Sequence, residues 1–216
     1  EGVGPVLFRR LTQAFDGIDE ALAAGPAQWS KVKGIGPKIL AGLEAVSEAT
    51  IDEELALAEK LGVTLLTADD ECFPPALKQL VDCSPLLYVR GRLIPGDAVA
   101  IGVVGSRNCT HYGLEQASRF GGLLGQAGFT VASGGARGID TSAHRGALDA
   151  GGRTVAVMGC GLATLYPPEN ADLFDRIVSE DRGAIISELP LLTEIRAGHF
   201  HSRNRIISGM SLGVLV

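Results

Sequence analysis

The spacing of hydrophobic residues changes along this 216-residue chain. Before residue 50, apolar positions recur every three or four residues, as in "VLFRRLTQAF" and "WSKVKGIGPKILAGLEAV", which predicts amphipathic helices. From residue 99 onward, short apolar runs alternate with helical patterns, and "VAIGVVG" has the near-continuous apolar character of a central parallel strand. This alternation predicts an α/β fold with a mostly parallel, doubly wound sheet.

The predicted elements divide the chain into a small all-α domain at residues 1–50 and an α/β domain at residues 51–216. Residues 63–98 read as a strand, a turn broken by proline and a second strand. The later strands are expected at "VAIGVVG", "FTVAS", "TVAVMG", "GAIIS" and "LGVLV", and a short helix is expected at "RNRIISGMS". The chain does not begin with methionine and "LGVLV" looks like an unfinished strand, so we expect a fragment of a longer product.

Composition narrows the class of protein. The chain is 46% hydrophobic, which is enough to bury a core, and no apolar run reaches the ~18 residues that a membrane helix needs. We see no signal peptide. None of the four cysteines forms a CxxC motif, so we expect free thiols in a reducing, cytoplasmic environment.

The charge distribution tells more than the net charge of −6, which argues weakly against a nucleic-acid partner. Residues 1–99 carry 9 basic and 15 acidic residues, whereas residues 100–216 carry 10 of each. All ten basic residues after residue 99 are arginines, whose guanidinium fork suits phosphate oxygens. Residues 195–216 hold three arginines and no acidic residue after Glu194. The local charge therefore permits an anion site in the second half.

Unusual residues follow the predicted strands. "GSR" follows the first parallel strand, "SGGARGID" the second, "GCGLATLYP" the third and "ELP" the fourth, before "HFHSRNR". Ligands of doubly wound sheets bind beyond the carboxyl ends of the strands. We therefore expect Arg107, Arg137, Arg203 and Arg205 to converge with glycine-lined turns and helix N-termini. Side-chain-free turns leave backbone N–H groups open to an anion, so we predict a phosphate of a nucleic acid strand.

Other chemistries find little support in the motifs. No GxxxxGK[ST] is present and no GxGxxG follows the first strand, so neither a Walker nucleotide site nor a dinucleotide site is expected. Strand-like alternation would place His199 and His201 on one side, but with no obvious carboxylate or thiolate partner, so we expect no metal and no cofactor. Asp140 is interpreted as the N-cap of its helix. Tyr166 and Phe200 are the only aromatic residues near strand ends, so base stacking should be minor.

The "KGIGPK" turn near the N-terminus leaves two interpretations open. It resembles a helix-hairpin-helix element, in which Gly34 and Gly36 would expose backbone amides to a DNA phosphate and Lys31, Lys33 and Lys38 would add charge. A packing turn between two helices is the favoured interpretation, because a single hairpin is a weak signal. The sequence does not decide whether residues 1–50 touch DNA.

Four segments together resemble one family. "VVGSRNCTHYG", "SGGARGIDTSAHRGALDAGGRTVAVMGCGL", "YPPEN" and "FHSRNRIISGMS" are similar to the DprA/Smf DNA-processing family, from about residue 60 to the end. The resemblance implies an extended Rossmann fold after a sterile-alpha-motif-like domain. It also implies a homodimer that binds single-stranded DNA and helps to load RecA recombinase in natural transformation, with no established catalytic activity.

Ten positions match the family motifs for DNA contact. They are Gly105, Ser106, Arg107, Ser133, Gly134, Gly135, Ala136, Arg137, Arg203 and Arg205. The chain departs from the family pattern in two places: "SELPLLTEI" stands where "SEYPPGTPP" is usual, and His201-Ser202 precede "RNR" where proline is common. We assign no contact to the "SELP" loop.

Two other classes of function remain as alternatives. A phosphoribohydrolase of the lysine-decarboxylase-like group shares a Rossmann core, but its PGGxGTxxE pattern requires a glutamate that "GGARGID" lacks, and Ser133 replaces its proline. A purely structural adaptor is disfavoured by the arginines at the strand ends, because an unpaired buried guanidinium is costly. Binding of single-stranded DNA is the preferred hypothesis.

Overall fold

Backbone chemistry sets the helix boundaries in the first part of the chain. The computed structural model describes residues 3–216. Proline occupies the first turn of three helices, where its missing N–H costs nothing. Asp16, with a φ of 62°, ends the first helix in the left-handed conformation. The helices are α1 (Pro5–Phe15), α2 (Ile18–Ala24), α3 (Pro26–Trp29), α4 (Pro37–Glu44) and α5 (Glu48–Leu61).

A seven-stranded mixed sheet forms the frame of the rest of the chain, in the order β1-β2-β6-β5-β4-β3-β7. β2 pairs antiparallel with both β1 and β6, and all other pairs are parallel. The mostly parallel sheet predicted from the sequence is confirmed. The strands are β1 (Val63–Thr67), β2 (Leu86–Gly91), β3 (Ala100–Val103), β4 (Thr130–Ser133), β5 (Thr154–Val157), β6 (Gly183–Ser187) and β7 (Gly213–Leu215).

Four helices connect the parallel strands: α6 (His111–Gln126), α7 (Ile139–Asp149), α8 (Ala171–Ser179) and α9 (Ala197–Gly209). Connections through α6, α7 and α8 step in one direction across the sheet, and α9 returns the chain to place β7 beside β3. Right-handed crossovers therefore put α9 on the face opposite to α6, α7 and α8. Close approach of α6 and α7 depends on Gly146, where an added Cβ would lie 2.0 Å from the Ser118 carbonyl oxygen.

Two compact units make up the chain. One contains the residues up to Ala56 together with Leu80–Pro85, and the other contains Leu57–Gln79 and Leu86–Val216. The core of the second unit includes Phe174, Ile177 and Ile185, all fully buried. The domain boundary at residue 50 stays a prediction, and that position lies within the continuous helix α5.

The segment "HFHSRNR" forms part of a longer helix than the sequence predicts. α9 begins at Ala197, twelve residues before its last residue Gly209, and so includes both histidines. Residues two apart on a helix point to different faces. The expectation that His199 and His201 share one side was therefore wrong, because it assumed strand-like alternation. None of the helices in the described part of the chain combines the length and apolar character that a bilayer crossing requires.

Candidate anion-binding site at the carboxyl ends of the parallel strands

The loops after β3 and β4 pack against each other through their backbones. Gly138 has a φ of +81°, and a Cβ there would lie 2.4 Å from the Ser106 carbonyl oxygen. That oxygen accepts a hydrogen bond from the Ile139 amide at 3.3 Å. A Cβ on Gly105 would lie 2.6 Å from the Ile139 side chain. This contact fixes the segment that carries Arg107 beside residues 134–138, which we term the glycine loop.

The space beside the first two glycines of the glycine loop is filled by the protein itself. A Cβ on Gly134 would lie 2.4 Å from Nη2 of Arg203. Gly135 has a φ of +64°, and a Cβ there would lie 2.9 Å from the Phe174 ring. The expectation that these glycines leave room for a phosphate was therefore wrong in its physical reason. They leave room for buried side chains that support the loop.

The buried Asp140 side chain binds the backbone of the glycine loop. Its carboxylate accepts hydrogen bonds from the amides of Gly134, at 3.1 Å, and Ala136, at 3.3 Å. Burial raises the pKa of this carboxyl, against the effects of Arg203 and these amides. The prediction that Asp140 is the N-cap of its helix was wrong, because α7 begins at Ile139 and Gly138 is the N-cap residue. Two amides expected to face an anion are thus already occupied.

Arg203 lies beneath the loop and not at the surface. Only 4% of the residue is exposed. Its guanidinium donates hydrogen bonds to the carbonyl oxygens of Gly134, at 2.6 Å, and Val157. Burial lowers its pKa to about 10, which still leaves the side chain charged at neutral pH. Arg203 therefore links the loop after β4 to the end of β5.

Arg137 is exposed but already paired with a carboxylate. Its Nη2 and Nε donate to one oxygen of Glu169, at 2.6 and 3.2 Å, and its Nη1 donates to the Tyr166 hydroxyl at 3.3 Å. The hydrogen bonds from Arg137 lower the pKa of Glu169. The guanidinium also lies 5.6 Å from the centre of the Tyr166 ring. An anion that binds Arg137 must therefore compete with Glu169.

Arg107, like Arg137, is exposed. Its guanidinium lies 5.0 Å from the centre of the Phe200 ring, a distance at which cation–π attraction holds an arginine in place. Within residues 3–216, no carboxylate lies within ion-pairing distance of it. The rings of Phe200 and Tyr166 are 6.0 Å apart. The cleft is lined by Arg107, Gly134, Ala136, Arg137, Tyr166, Pro167 and Phe200.

The ten predicted contact positions separate by burial. Gly105, Ser106, Arg107 and Arg137 are exposed, Ala136 and Arg205 are half-buried, and Ser133, Gly134, Gly135 and Arg203 are buried. Arg107 and Arg137 line the same cleft. Arg203 lies beneath the loop, close enough to Arg107 for their charges to interact, and Arg205 pairs with Glu188. The Ser133 hydroxyl is also turned inward, where it donates to the Val103 carbonyl at 2.6 Å. Contact with DNA at any of the ten positions stays a prediction.

Several residues that shape the site were not identified from the sequence. Glu169 neutralises Arg137, and Asn170 donates hydrogen bonds to the Gly135 carbonyl at 2.9 Å and to the Thr141 hydroxyl at 2.7 Å. Both belong to the "YPPEN" segment, and that motif was the available signal. Within the described residues, no three His, Cys, Asp or Glu side chains come together as a metal site would require.

The fold and the cleft define a class of protein: a doubly wound α/β domain with an arginine-containing cleft at the carboxyl ends of its strands. A family model described as DNA recombination-mediator protein A matches residues 64–216. The chain belongs to this family.

Individual relatives agree with this assignment. Protein Smf of Synechocystis is 38% identical over 221 residues, covering 100% of this chain and 55% of the relative. The X-ray structure of DNA processing protein A from Streptococcus pneumoniae is 27% identical, with a TM-score of 0.81, and covers 99% of this chain and 72% of that chain. This likeness supports the α/β fold after a helical N-terminal region.

A second solved structure, from Helicobacter pylori, concerns the single-stranded DNA binding mode of its DNA processing protein A. It is 27% identical, with a TM-score of 0.62 over 70% of this chain and 67% of that chain. The chain spans about half the length of the curated relatives it matches, at 55%, 44% and 54% of three of them.

Proposed function

We propose that this chain binds single-stranded DNA at the cleft beside the glycine loop. One observation carries the proposal: the exposed Arg107 lies over the Phe200 ring at the carboxyl ends of the parallel strands, without a carboxylate partner among residues 3–216. An exposed guanidinium held over an aromatic ring offers a charge-assisted hydrogen bond to a phosphate. The single-stranded DNA named for the Helicobacter relative agrees with this chemistry.

Arg137, the second arginine of the cleft, can bind a phosphate only by giving up its ion pair with Glu169. A phosphate that reaches Arg137 takes the place of Glu169, and the guanidinium keeps its contact with the Tyr166 ring. Phosphates carry no base identity, so binding depends little on sequence. A flexible strand can bend to place successive phosphates on Arg107 and Arg137, whereas a duplex presents a fixed phosphate spacing. We therefore expect preference for single strands.

The wider role follows from the family. Within recombination, the chain would protect incoming single strands and help to load RecA onto them during natural transformation, acting as a cytoplasmic homodimer. Family membership supports a role in DNA recombination. The description of the family as a recombination mediator supports a binding role without catalysis.

Three substitutions test the cleft, two expected to weaken binding and one expected to strengthen it. Arg137→Ala should weaken binding of an oligothymidine and reduce the slope of log affinity against log salt by roughly 0.7, the contribution of one phosphate contact on a single strand. Arg107→Ala should do the same. Glu169→Gln should strengthen binding by about threefold, because Arg137 no longer has to leave a charged partner. Fluorescence anisotropy at several salt concentrations measures both quantities.

A matched control separates this exchange from a general charge effect. Asp172 forms an exposed ion pair with Arg145, at 2.8 Å, outside the cleft lining. Asp172→Asn removes the same charge and should leave affinity unchanged. The proposal fails if Glu169→Gln weakens binding or if Arg107→Ala leaves affinity and salt slope unaltered. Release of base from nucleoside monophosphates by the wild-type chain would favour the phosphoribohydrolase alternative.

A further inference from the structure

Two of the glycine turns in the helical N-terminal region, residues 3–56, differ in charge. The first turn, at Gly17 after α1, has acidic residues on both sides: Asp16, Asp19 and Glu20. The second turn, residues 30–36 between α3 and α4, lies in a segment from residue 21 to residue 43 that has three lysines and no acidic residue. This local excess of positive charge contrasts with the acidic balance of residues 1–99 as a whole. It marks a surface at which an anion would gather.

A groove of about 590 Å³ runs between this second turn and the end of α1. Three of the eight residues that line it, Arg10, Lys31 and Lys33, are cations, and none is acidic. Gln13 and Gln28 add neutral amide donors, and the half-buried Phe15 adds an apolar wall. The groove therefore combines positive charge with hydrogen-bond donors, as a phosphodiester backbone requires.

The turn packs against α1. Arg10 donates a hydrogen bond to the Lys33 carbonyl oxygen at 3.1 Å. Gly34 has a φ of +103°, and a Cβ there would lie 2.8 Å from the Leu7 side chain. The buried side chain of Ile35 anchors the centre of the turn. Lys31 and Lys33 therefore extend from a turn that is anchored to α1, and Lys31 donates a hydrogen bond to the Gln28 side chain at 2.8 Å.

We propose that this groove is a second nucleic-acid site, which binds the phosphodiester backbone of DNA through Lys31 and Lys33 without reading sequence. The groove shares no lining residue with the cleft beside the glycine loop, and the proposal does not depend on the function proposed for that cleft. Arg10 acts as a positioning residue through its hydrogen bond to Lys33. Charge neutralisation by the two lysines makes the binding salt-dependent.

The test removes the two lysines from a chain whose cleft is already disabled. In the Arg107→Ala/Arg137→Ala background, Lys31→Gln/Lys33→Gln should lower the remaining affinity for DNA about fivefold. The salt slope should fall by roughly 1.4 for a single strand or roughly 1.8 for a duplex, the contributions of two contacts. Anisotropy with a labelled single strand and a labelled duplex measures both.

Lys60→Gln/Lys78→Gln is the matched control, because it removes the same charge from two exposed lysines outside the groove. It should leave affinity and slope unchanged, and thermal melts should show that every variant is folded. A loss on only one form of DNA supports the groove and identifies its ligand. Unaltered binding by the Lys31→Gln/Lys33→Gln chain, or an equal loss in the control, overturns the proposal. A cleft variant that binds normally would disprove the cleft and not the groove.

Discussion

The glycine loop has two faces that use arginine in opposite ways. Its buried face is held by Arg203 and Asp140, and His144 lies close enough to Arg203 for that charge to act on it. All three residues are at most 5% exposed. Its exposed face carries Arg107 and Arg137 beside the aromatic rings of the cleft. On the buried face the guanidinium is bound by carbonyl oxygens, whereas on the exposed face it lies over a ring or forms an exchangeable ion pair.

Burial explains the difference between these arginines. A charge removed from water must be paired or hydrogen-bonded, and breaking such an arrangement is costly. Arg203 is therefore committed to the fold, while Arg107 keeps its capacity to bind an external anion. Changes on the buried face should alter stability, and changes on the exposed face should alter binding. Four predictions test this division, from the largest expected effect to the smallest.

Asp140→Ala should have the largest effect on stability. It leaves the amides of Gly134 and Ala136 without their acceptor and Arg203 without its nearest buried counter-charge. We expect a loss of ~3–5 kcal/mol in the free energy of unfolding, measured by urea denaturation. Asp172→Ala, which breaks an exposed ion pair, should cause no comparable change. Equal losses in the two variants would remove the distinction between the faces.

Gly134→Ala should destabilise the chain by about 2 kcal/mol, because the new methyl group would overlap the Arg203 guanidinium. The loss should shrink when Gly134→Ala is made in an Arg203→Met background, where the fork is absent. A double-mutant cycle by urea denaturation measures this coupling. If the two losses simply add, the clash is not with Arg203, and the glycine serves another purpose.

Stability should also depend on pH through His144. Burial, together with Arg203, lowers its pKa to about 3 from 6.5. The unfolded chain therefore binds a proton in this range that the folded chain does not. The stabilisation is complete above pH 6.5 and is lost as pH falls toward 3, by at most about 1.4 kcal/mol per unit. His144→Gln should flatten this dependence when unfolding is measured at pH 7, 6 and 5.

Asp140 has the opposite effect on the pH dependence of stability. Its pKa is raised in the folded chain, so its contribution to the free energy of unfolding becomes more favourable as pH falls through that folded-state pKa. Asp140 is present in both wild type and His144→Gln. The difference between their pH profiles of stability therefore reports the effect of His144 alone. Parallel pH profiles for the two proteins would show that His144 does not titrate on unfolding.

Phe200→Leu should produce the smallest of the four effects, and it should change DNA binding and not stability. It removes the ring under Arg107 while keeping a hydrophobic side chain. Affinity for an oligothymidine should fall by about threefold, as expected for loss of a cation–π contact at a partly exposed site. Tyr112→Leu, which changes an exposed aromatic outside the cleft, is the control. A stability loss without a change in affinity would assign Phe200 to the buried face.

Much of the fold was determined by the sequence alone. Apolar runs of strand length alternate with helical patterns after residue 99, and each such pattern reflects local preference together with burial of one face. The parallel sheet and the position of the unusual residues at its carboxyl edge follow from these patterns. The helix boundaries were less accurate: "HFHSRNR" lacks a strong start signal, and α9 begins earlier than expected.

The roles of individual residues within the site were decided only by tertiary structure. Arg107 and Arg203 both lie in connections that follow parallel strands, yet one is exposed and the other buried. In the sequence, Gly134 suggests room for a ligand. In the structure, the space beside it is filled by the side chain of Arg203, 69 residues away in the chain. The partner of Arg137 is likewise 32 residues distant. Local pattern predicts where a turn lies, but which atoms fill the space beside it depends on packing between distant segments.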